Sequence, residues 1–510
     1  MTWRRITRDA PVLPAPPARI FLVGLGGIGM SGLAQLLHFQ GYEVAGSDRR
    51  IWGVGKDDLF SKLAALGISI FPQDGHGIGD WSPETVVVSA AVEDTNPDLR
   101  ASSRVPRLHR ARALADALNR VDACQVAVAG SCGKTTVTGW LSSALRALGR
   151  RVVLVDGGFV TEFETDVLPG NVHWDPRPDV VVYEVDESDR SLTEFQPDVG
   201  VLLNVGTDHY DRDELLRIFG RFLDRCRDAA VVPDVLLDSM AAYGPPRRTV
   251  FAGPASATSQ TTPRTVAALS VRASREGTSF HTALHGPVRT SQFGDHSVLN
   301  GCAVLATLDV VADDKSATER GEALGAFLGV RQRFEYMGST AGAVPVYNDY
   351  AHNVEKIEAA IHTARGVAGD RLLIVFQPHG FKPLAFMRTP LRGMLQRTLS
   401  PGDRLLLLPV FYAGGTTAFS PTSEEVAGSY AAAGLAVRAV KDRAEAQSAL
   451  SAAGGFSSGR AGTVRPSAVL VLGARDPSLR AWCRSMVAPP DGPNPDQAVP
   501  ATPPARRPRP

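Results

Sequence analysis

A ten-residue stretch, AVAGSCGKTT at 127–136, constrains this chain more than any other part of it. An apolar, β-branched run ends there in a glycine turn that carries a lysine and two threonines into an amphipathic segment. Backbone amides of such a turn cradle phosphates, the lysine reaches β- and γ-phosphate oxygens, and a threonine hydroxyl can bind Mg²⁺. The strict nucleotide-loop pattern asks for a glycine five residues before Gly133, where Val128 stands. What remains is Gly130, Gly133, Lys134, Thr135 and Thr136 between a strand and a helix, and no purely structural need explains that set.

A second glycine turn lies a hundred residues earlier, in FLVGLGGIGMSG. Gly24, Gly26 and Gly29 follow the strand-like RIFLV and open a helix, so the backbone can approach a diphosphate at a helix N-terminus. Asp48, at the end of the next strand YEVAGSD, is placed for a ribose hydroxyl. This turn does not separate NAD from a UDP-sugar, because both carry a pyrophosphate and a ribose. An NAD(P)-dependent oxidoreductase is therefore an alternative, but it leaves Gly-Lys-Thr-Thr without a role. A non-catalytic nucleotide-binding regulator is another, opposed by Lys134, Glu184 and His209.

Two stretches offer metal ligands. VVYEVDESD ends a buried strand with Glu184, Asp186, Glu187 and Asp189, and VGVLLNVGTDHYD ends another with Asp208 and His209. Hard oxygens plus one imidazole suit Mg²⁺ bridging phosphates better than zinc. Asp186 and Asp189 read as readily as solvated loop acids.

Length and composition set the frame. At 510 residues the chain exceeds one hydrophobic core. A net charge of +1 gives no global field for nucleic acid or an acidic membrane. The five cysteines are scattered without a CxxC pair, which fits a reducing cytoplasm. Apolar runs have strand length, so no membrane insertion is expected, and the first residues lack the apolar core of a signal peptide. Strand-like runs alternate with amphipathic stretches, the mark of parallel α/β sheets. The expected order is a disordered extension at 1–17, domains at 18–120, 121–325 and 326–488, and a Pro-rich disordered tail at 489–510. Loops and short strands are expected over about 253–292. Cys226 and Cys302 read as core, and Cys132 as a small loop residue.

The pieces VGLGGIGMSGLAQLL, VVVSAAVEDTNP, GSCGKTT, EVDESD, NVGTDHYD, GDHSVLNG, GVRQRFE, NDYAHN and FQPH, in that order, resemble the Mur ligases. These are ATP-dependent amide-forming enzymes of peptidoglycan synthesis, and the likeness to their alanine-adding branch runs from residue 20 to about 480. It implies a Rossmann-like UDP-binding domain, a central P-loop ATPase-like domain with a mixed sheet, and a Rossmann-like C-terminal domain. The first turn would then hold the UDP of a UDP-N-acetylmuramate-type sugar and the second ATP. Thr135, Glu184 and His209 would form the Mg²⁺ and phosphate constellation. His296 and Asn300 would lie near adenine, Arg333 would contact ATP, and Asp349 would sit near its ribose. Tyr350 and His352 would face the reaction centre, with His379 and Lys382 toward the substrates. The implied reaction joins an amino acid, L-alanine by family default, to a carboxylate through an acyl phosphate, with Lys134 neutralising the transferred group.

Departures from the branch cluster in one region. FQPHGFKPL stands where the branch reads FQPHRYxRT, which removes arginines at Gly380 and Pro383. NDYAHNV replaces DDYxHHP, altering Asn348, Asn353 and Val354. Cys132, Ser297, Gly206 and Thr207 also differ. A paralogous ligase that adds another amino acid, peptide or amine is the alternative these positions leave open. Between Lys134 and Lys315 there is no lysine, so the carbamylated-lysine metal site of some family members is excluded.

Overall fold

The computed structural model describes residues 12–52, 58–187, 191–206, 211–253, 265–274, 276–411, 419–451, 465–474, 476 and 478–487. They pack as two units, residues 1–335 with 359–368, and residues 336–358 with 369–510. His209, Asp189, Asp208 and Thr207 lie outside the described residues, as do 1–11 and the Pro-rich tail.

The first unit holds two sheets. The N-terminal sheet runs Ser69–Pro72, Glu43–Asp48, Arg19–Val23, Thr85–Val88, Arg107–His109, and every neighbouring pair is parallel. Chain order reverses at the central strand Arg19–Val23, so its C-terminal end opens a crevice, and the glycine turn at 24–29 sits there. The helix Ile28–Phe39 follows, without a side-chain cap or an acidic residue in its first turn.

The second sheet is mixed. Its parallel part runs Thr265–Ser274, Arg248–Ala252, Ala229–Pro233, Val199–Leu202, Cys124–Ala129, Val180–Glu184, Val152–Val155. An antiparallel meander, Gly277–Thr282 and Gly286–Thr290, extends one edge, and Val172–His173 closes the other. Strand Thr265–Ser274 is long for a region expected to hold short strands. Strand Cys124–Ala129 includes Val128 and is fully buried. The missing glycine of the nucleotide pattern is thus a sheet position, where β-branched bulk packs well.

The first two expected domains share one hydrophobic cluster, which runs from Leu22 and Leu33 through Val155 and Tyr183 to Phe222. A buried polar network ties them further. Asn171 donates to the Ile28 carbonyl at 3.0 Å and to Ser31 Oγ at 3.2 Å, and accepts from Gln35 Nε2 at 2.9 Å. The expected disordered extension is corrected in its last part. Leu13 is buried and its N–H donates to Asp116 at 3.0 Å, while Tyr42 donates to the Pro14 carbonyl at 2.8 Å.

The second unit carries a six-stranded sheet in the order Glu335–Ser339, Pro345–Asp349, Ala468–Gly473, Leu372–Gln377, Arg404–Leu407, Val437–Ala439. The pairs from Pro345–Asp349 onward are parallel. No described helix is long and apolar enough to cross a membrane.

Candidate active site

Parallel strands bring their C-terminal ends to one edge, and the central sheet uses this to assemble the nucleotide turn. Strand Cys124–Ala129 delivers residues 130–133, and helix Lys134–Ala147 leaves from Gly133, whose φ of +86° suits glycine. A Cβ at Gly133 would lie 2.9 Å from Asn300 Oδ1, so Asn300, buried in the helix Asp295–Val311, closes one side of the turn. His296 stands exposed in the first turn of that helix. Residues just past strand Val199–Leu202 brace the turn from the other side. Asn204 holds both the N–H and the carbonyl of Cys132, at 2.8 and 2.9 Å, and Gly206 donates to Ser131 Oγ at 2.8 Å. Cys132 itself is exposed and forms no disulfide.

Lys134 is held by Glu187 Oε2 at 2.8 Å and the Gly130 carbonyl at 2.7 Å. Burial works against its charge, but Glu187 and Glu184 outweigh this and raise its pKa above the ordinary lysine value. Glu187 is itself buried, whereas Asp186 is half-buried and stands 3.9 Å from the ammonium. Thr136 is half-buried one residue beyond Thr135.

The Thr135 hydroxyl donates to Glu184 Oε2 at 2.7 Å. Beside Glu184 stands Asp156, a residue that the motif reading missed. The signal was present, because Asp156 follows VVLV as directly as Glu184 follows VVVY. The register Val155↔Tyr183 sets the two acids abreast. Asp156 is 3% exposed, and burial first, then the charge of Glu184, push its carboxyl well above the usual range, with Arg333 pulling the other way. Among the described residues no three His, Cys, Asp or Glu side chains converge as a metal cluster. A hydroxyl and two carboxylates still fit Mg²⁺, which keeps waters and takes phosphate oxygens alongside one or two carboxylates.

The glycine turn at 24–29 is internally braced. Asp48 Oδ2 accepts from the Gly26 N–H at 2.8 Å, and its Oδ1 accepts from the Arg50 N–H at 2.9 Å, while Arg50 also donates to the Gly26 carbonyl. Asp48 therefore shapes this turn rather than standing free. Gly29 lies against Arg110, whose Nη1 would be 3.0 Å from a Cβ there. A cleft of about 430 Å³ is lined by Gly27, Gly29 and Arg110 from the N-terminal domain and by Asp156, Gly157 and Glu184 from the central one. The first glycine turn thus opens toward Asp156 and Glu184, and Glu184 accepts from Thr135 of the second.

Arg333 sits in a constrained loop. Its neighbours Gln332 and Phe334 have φ of +58° and +47°, a conformation costly for residues with a side chain. The loop is pinned by Arg331 N–H donating to the Phe159 carbonyl at 2.8 Å and by an Arg331–Glu164 ion pair that Lys62 joins at 2.8 Å.

In the second unit, strands Pro345–Asp349 and Leu372–Gln377 flank Ala468–Gly473 and end on the same edge. The His352 ring packs edge-on to Tyr350 at 5.5 Å and to His379 at 5.1 Å, and its Nδ1 pairs with the Tyr350 carbonyl at 2.9 Å. Asp349 Oδ1 accepts from the Ala351 N–H at 2.7 Å and shapes the turn. Asn353 caps the helix Val354–Ala368 by accepting from Lys356 N–H at 2.9 Å. Lys382 is exposed.

Set beside known proteins, residues 19–121 match the Mur ligase family catalytic domain, 128–308 the Mur ligase middle domain, and 332–475 the Mur ligase glutamate ligase domain. A UDP-N-acetylmuramate–L-alanine ligase of Streptomyces avermitilis is 33% identical over 482 residues, covering 92% of this chain and 97% of that one. One from Kineococcus radiotolerans is 33% identical over 85% of this chain and 90% of its own. Among solved structures, the UDP-N-acetylmuramate–alanine ligase of Thermotoga maritima superposes with a TM-score of 0.71 at 24% identity, over 92% of this chain and 98% of that one. A murein peptide ligase of Psychrobacter arcticus gives 0.62 at 18% identity, over 92% and 100%.

Proposed function

The chain belongs to the Mur ligase family, and on that footing we propose that it is an ATP-dependent, ADP-forming ligase joining L-alanine to the carboxylate of UDP-N-acetylmuramate. The observation that carries this reading is the shared cleft, in which the glycine turn of one domain faces the carboxylates beside the nucleotide turn of the other. A ligand anchored by its diphosphate at the N-terminus of helix Ile28–Phe39 could extend its far end toward the γ-phosphate of ATP. The oxidoreductase and regulator alternatives draw no support from the family.

In this reading Gly130, Gly133, Lys134, Thr135 and Thr136 cradle the ATP phosphates, and Lys134 leaves Glu187 to neutralise charge on the transferred group. Thr135 and Glu184, with His209, would hold Mg²⁺, which supplies Lewis-acid charge stabilisation when bound. Gly24, Gly26 and Gly29 bind the UDP diphosphate, with Asp48 keeping their turn in shape. Family resemblance supports His296 and Asn300 for adenine, Arg333 and Asp349 for ATP, and Tyr350, His352, His379 and Lys382 for the acceptor. His352 is the candidate to take a proton from the attacking amine. A cytoplasmic setting fits five cysteines that form no disulfide.

The test is ATP-dependent phosphate release by the purified protein with UDP-N-acetylmuramate and each amino acid in turn. Release highest with alanine is the expected result. Release with a different amino acid would reassign the acceptor, and silence with all of them would overturn the substrate.

A further inference from the structure

Asp156 has no assigned part in the reaction, and its surroundings are unusual for a residue with only a structural one. It leaves strand Val152–Val155 level with Glu184 and is 3% exposed. One backbone N–H, that of Gly157, serves both acids, donating to Asp156 Oδ1 at 2.7 Å and to Glu184 Oε2 at 3.2 Å. The two carboxyls thus flank a single N–H. Asp156 Oδ2 is buried and has no hydrogen-bond partner.

The backbone is shaped to admit this crowding. A Cβ on Gly157 would stand 2.5 Å from Glu184 Oε2, and one on Gly139 would stand 3.2 Å from Asp156 Oδ2. Two glycines therefore make room for two acids side by side. Burying a pair of like charges is strongly unfavourable unless one of them takes up a proton or a cation joins them. Lys134, whose ammonium is attracted by Glu184, is engaged by Glu187. Arg333 contributes attraction but leaves Oδ2 unpaired. Oxygen donors from Asp156, Glu184 and Thr135 on three neighbouring elements are the donor set that hard divalent cations select.

We propose that Asp156 is a ligand of the divalent cation, supplying with Glu184 and Thr135 a third protein oxygen and closing the cation site on the side of the 430 Å³ cleft. This rests on the reading of the chain as a cation-dependent ligase. It assigns Asp156 the task of holding the cation where a carboxylate entering that cleft would meet the γ-phosphate.

Mn²⁺ binding to the full chain with a non-hydrolysable ATP analogue, read by electron paramagnetic resonance, tests this without turnover. Asp156→Asn is nearly isosteric and is expected to weaken Mn²⁺ at least about tenfold, with the analogue's own affinity in the absence of metal unchanged. Asp156→Cys is expected to move the preference from Mn²⁺ toward Cd²⁺, measured against the parent chain, which carries the same exposed Cys132. A purely structural role would not produce that exchange. Wild-type Mn²⁺ affinity in a folded Asp156→Asn protein, with no Cd²⁺ gain in Asp156→Cys, would overturn the proposal and leave the ligase reading standing. Absence of Mn²⁺ binding by the parent chain with the analogue would overturn both.

Discussion

The Thr135 hydroxyl donates to Glu184 Oε2 at 2.7 Å and so joins the first turn of the nucleotide-loop helix to the end of a neighbouring strand. Glu184 is opposite Val128 in the sheet register, so strand pairing decides where this acid stands relative to the loop. Thr135→Val removes the hydroxyl while keeping the shape of the side chain. Turnover in the phosphate-release assay is expected to fall by about 10²–10³, the usual cost of losing one preorganised electrostatic contact. Thr135→Ser is expected to retain most of the activity. Equal loss in both variants would show that packing, not the hydroxyl, matters.

Lys134 and Glu187 form an ion pair at 2.8 Å with both side chains largely buried. Replacing Glu187 by Gln leaves a buried ammonium without its counter-charge, and breaking such a pair costs several kcal/mol at most. Glu187→Gln should therefore lower the melting temperature of the free protein. ADP phosphates restore the missing negative charge, and a ligand that binds only the folded state stabilises it. The temperature gain on adding ADP should thus be larger in the variant than in the parent. A smaller gain would show that Glu187 helps to bind the nucleotide rather than holding the empty loop.

Much of this site can be read from local sequence, because the features that build it are local. Gly-Lys-Thr-Thr after a buried run, and acids directly after apolar strands, specify loop and edge without knowledge of the sheet. Asp156 escaped because its meaning depends on strand order. Only when Val152–Val155 lies beside Val180–Glu184 do the two acids meet. Asp48 was read for a ribose because it ends a strand, while the Gly26 and Arg50 contacts that engage it arise from the folded turn. The union of the first two domains was likewise unreadable, since Asn171 and Gln35 are 136 residues apart and neither carries a motif. Resemblance supplied roles for Arg333 and Asp349 that no local pattern states.

The network around Asn171 makes its own prediction. Asn171→Ala leaves the Gln35 amide and the Ile28 carbonyl without this buried partner, at a cost of about 1–3 kcal/mol. Ile28 begins the helix behind the first glycine turn, so KM for the UDP-sugar should rise while KM for ATP stays near that of the parent. A double change with Gln35→Met should cost less than the two single changes added, because the groups share one network. Additive urea midpoints would mean that the two side chains act independently.

Gly26 tests the first turn separately from the second. A Cβ there would meet the Arg50 guanidinium, Phe60 at 2.7 Å and Asp48 Oδ2 at 2.8 Å. Gly26→Ala must displace the Asp48 brace that positions the turn. UDP-sugar affinity, measured by calorimetry, is expected to fall at least about tenfold, or 1.4 kcal/mol. ATP affinity should not change, since the second turn has its own strand and its own brace in Asn204. Equal loss for both ligands would indicate a general fault in folding.

His173 gives the first unit an acid-sensitive point away from both turns. Its ring stacks on Phe163 at 4.9 Å, and burial first, then nearby Arg146, lower its pKa from 6.5 to about 4. Between those two pH values the unfolded chain binds a proton at this residue that the folded chain refuses. Stability contributed by neutral His173 is therefore complete above pH 6.5 and is lost progressively as pH falls toward 4. His173→Phe keeps an aromatic ring on Phe163 and removes the titration. The parent should lose about 1 kcal/mol more than this variant between pH 7 and pH 5, a figure reduced for the ring's partial exposure to solvent. Urea unfolding at both pH values measures the difference. An identical pH response in the two proteins would show that His173 accepts its proton in the folded chain as easily as in the unfolded one.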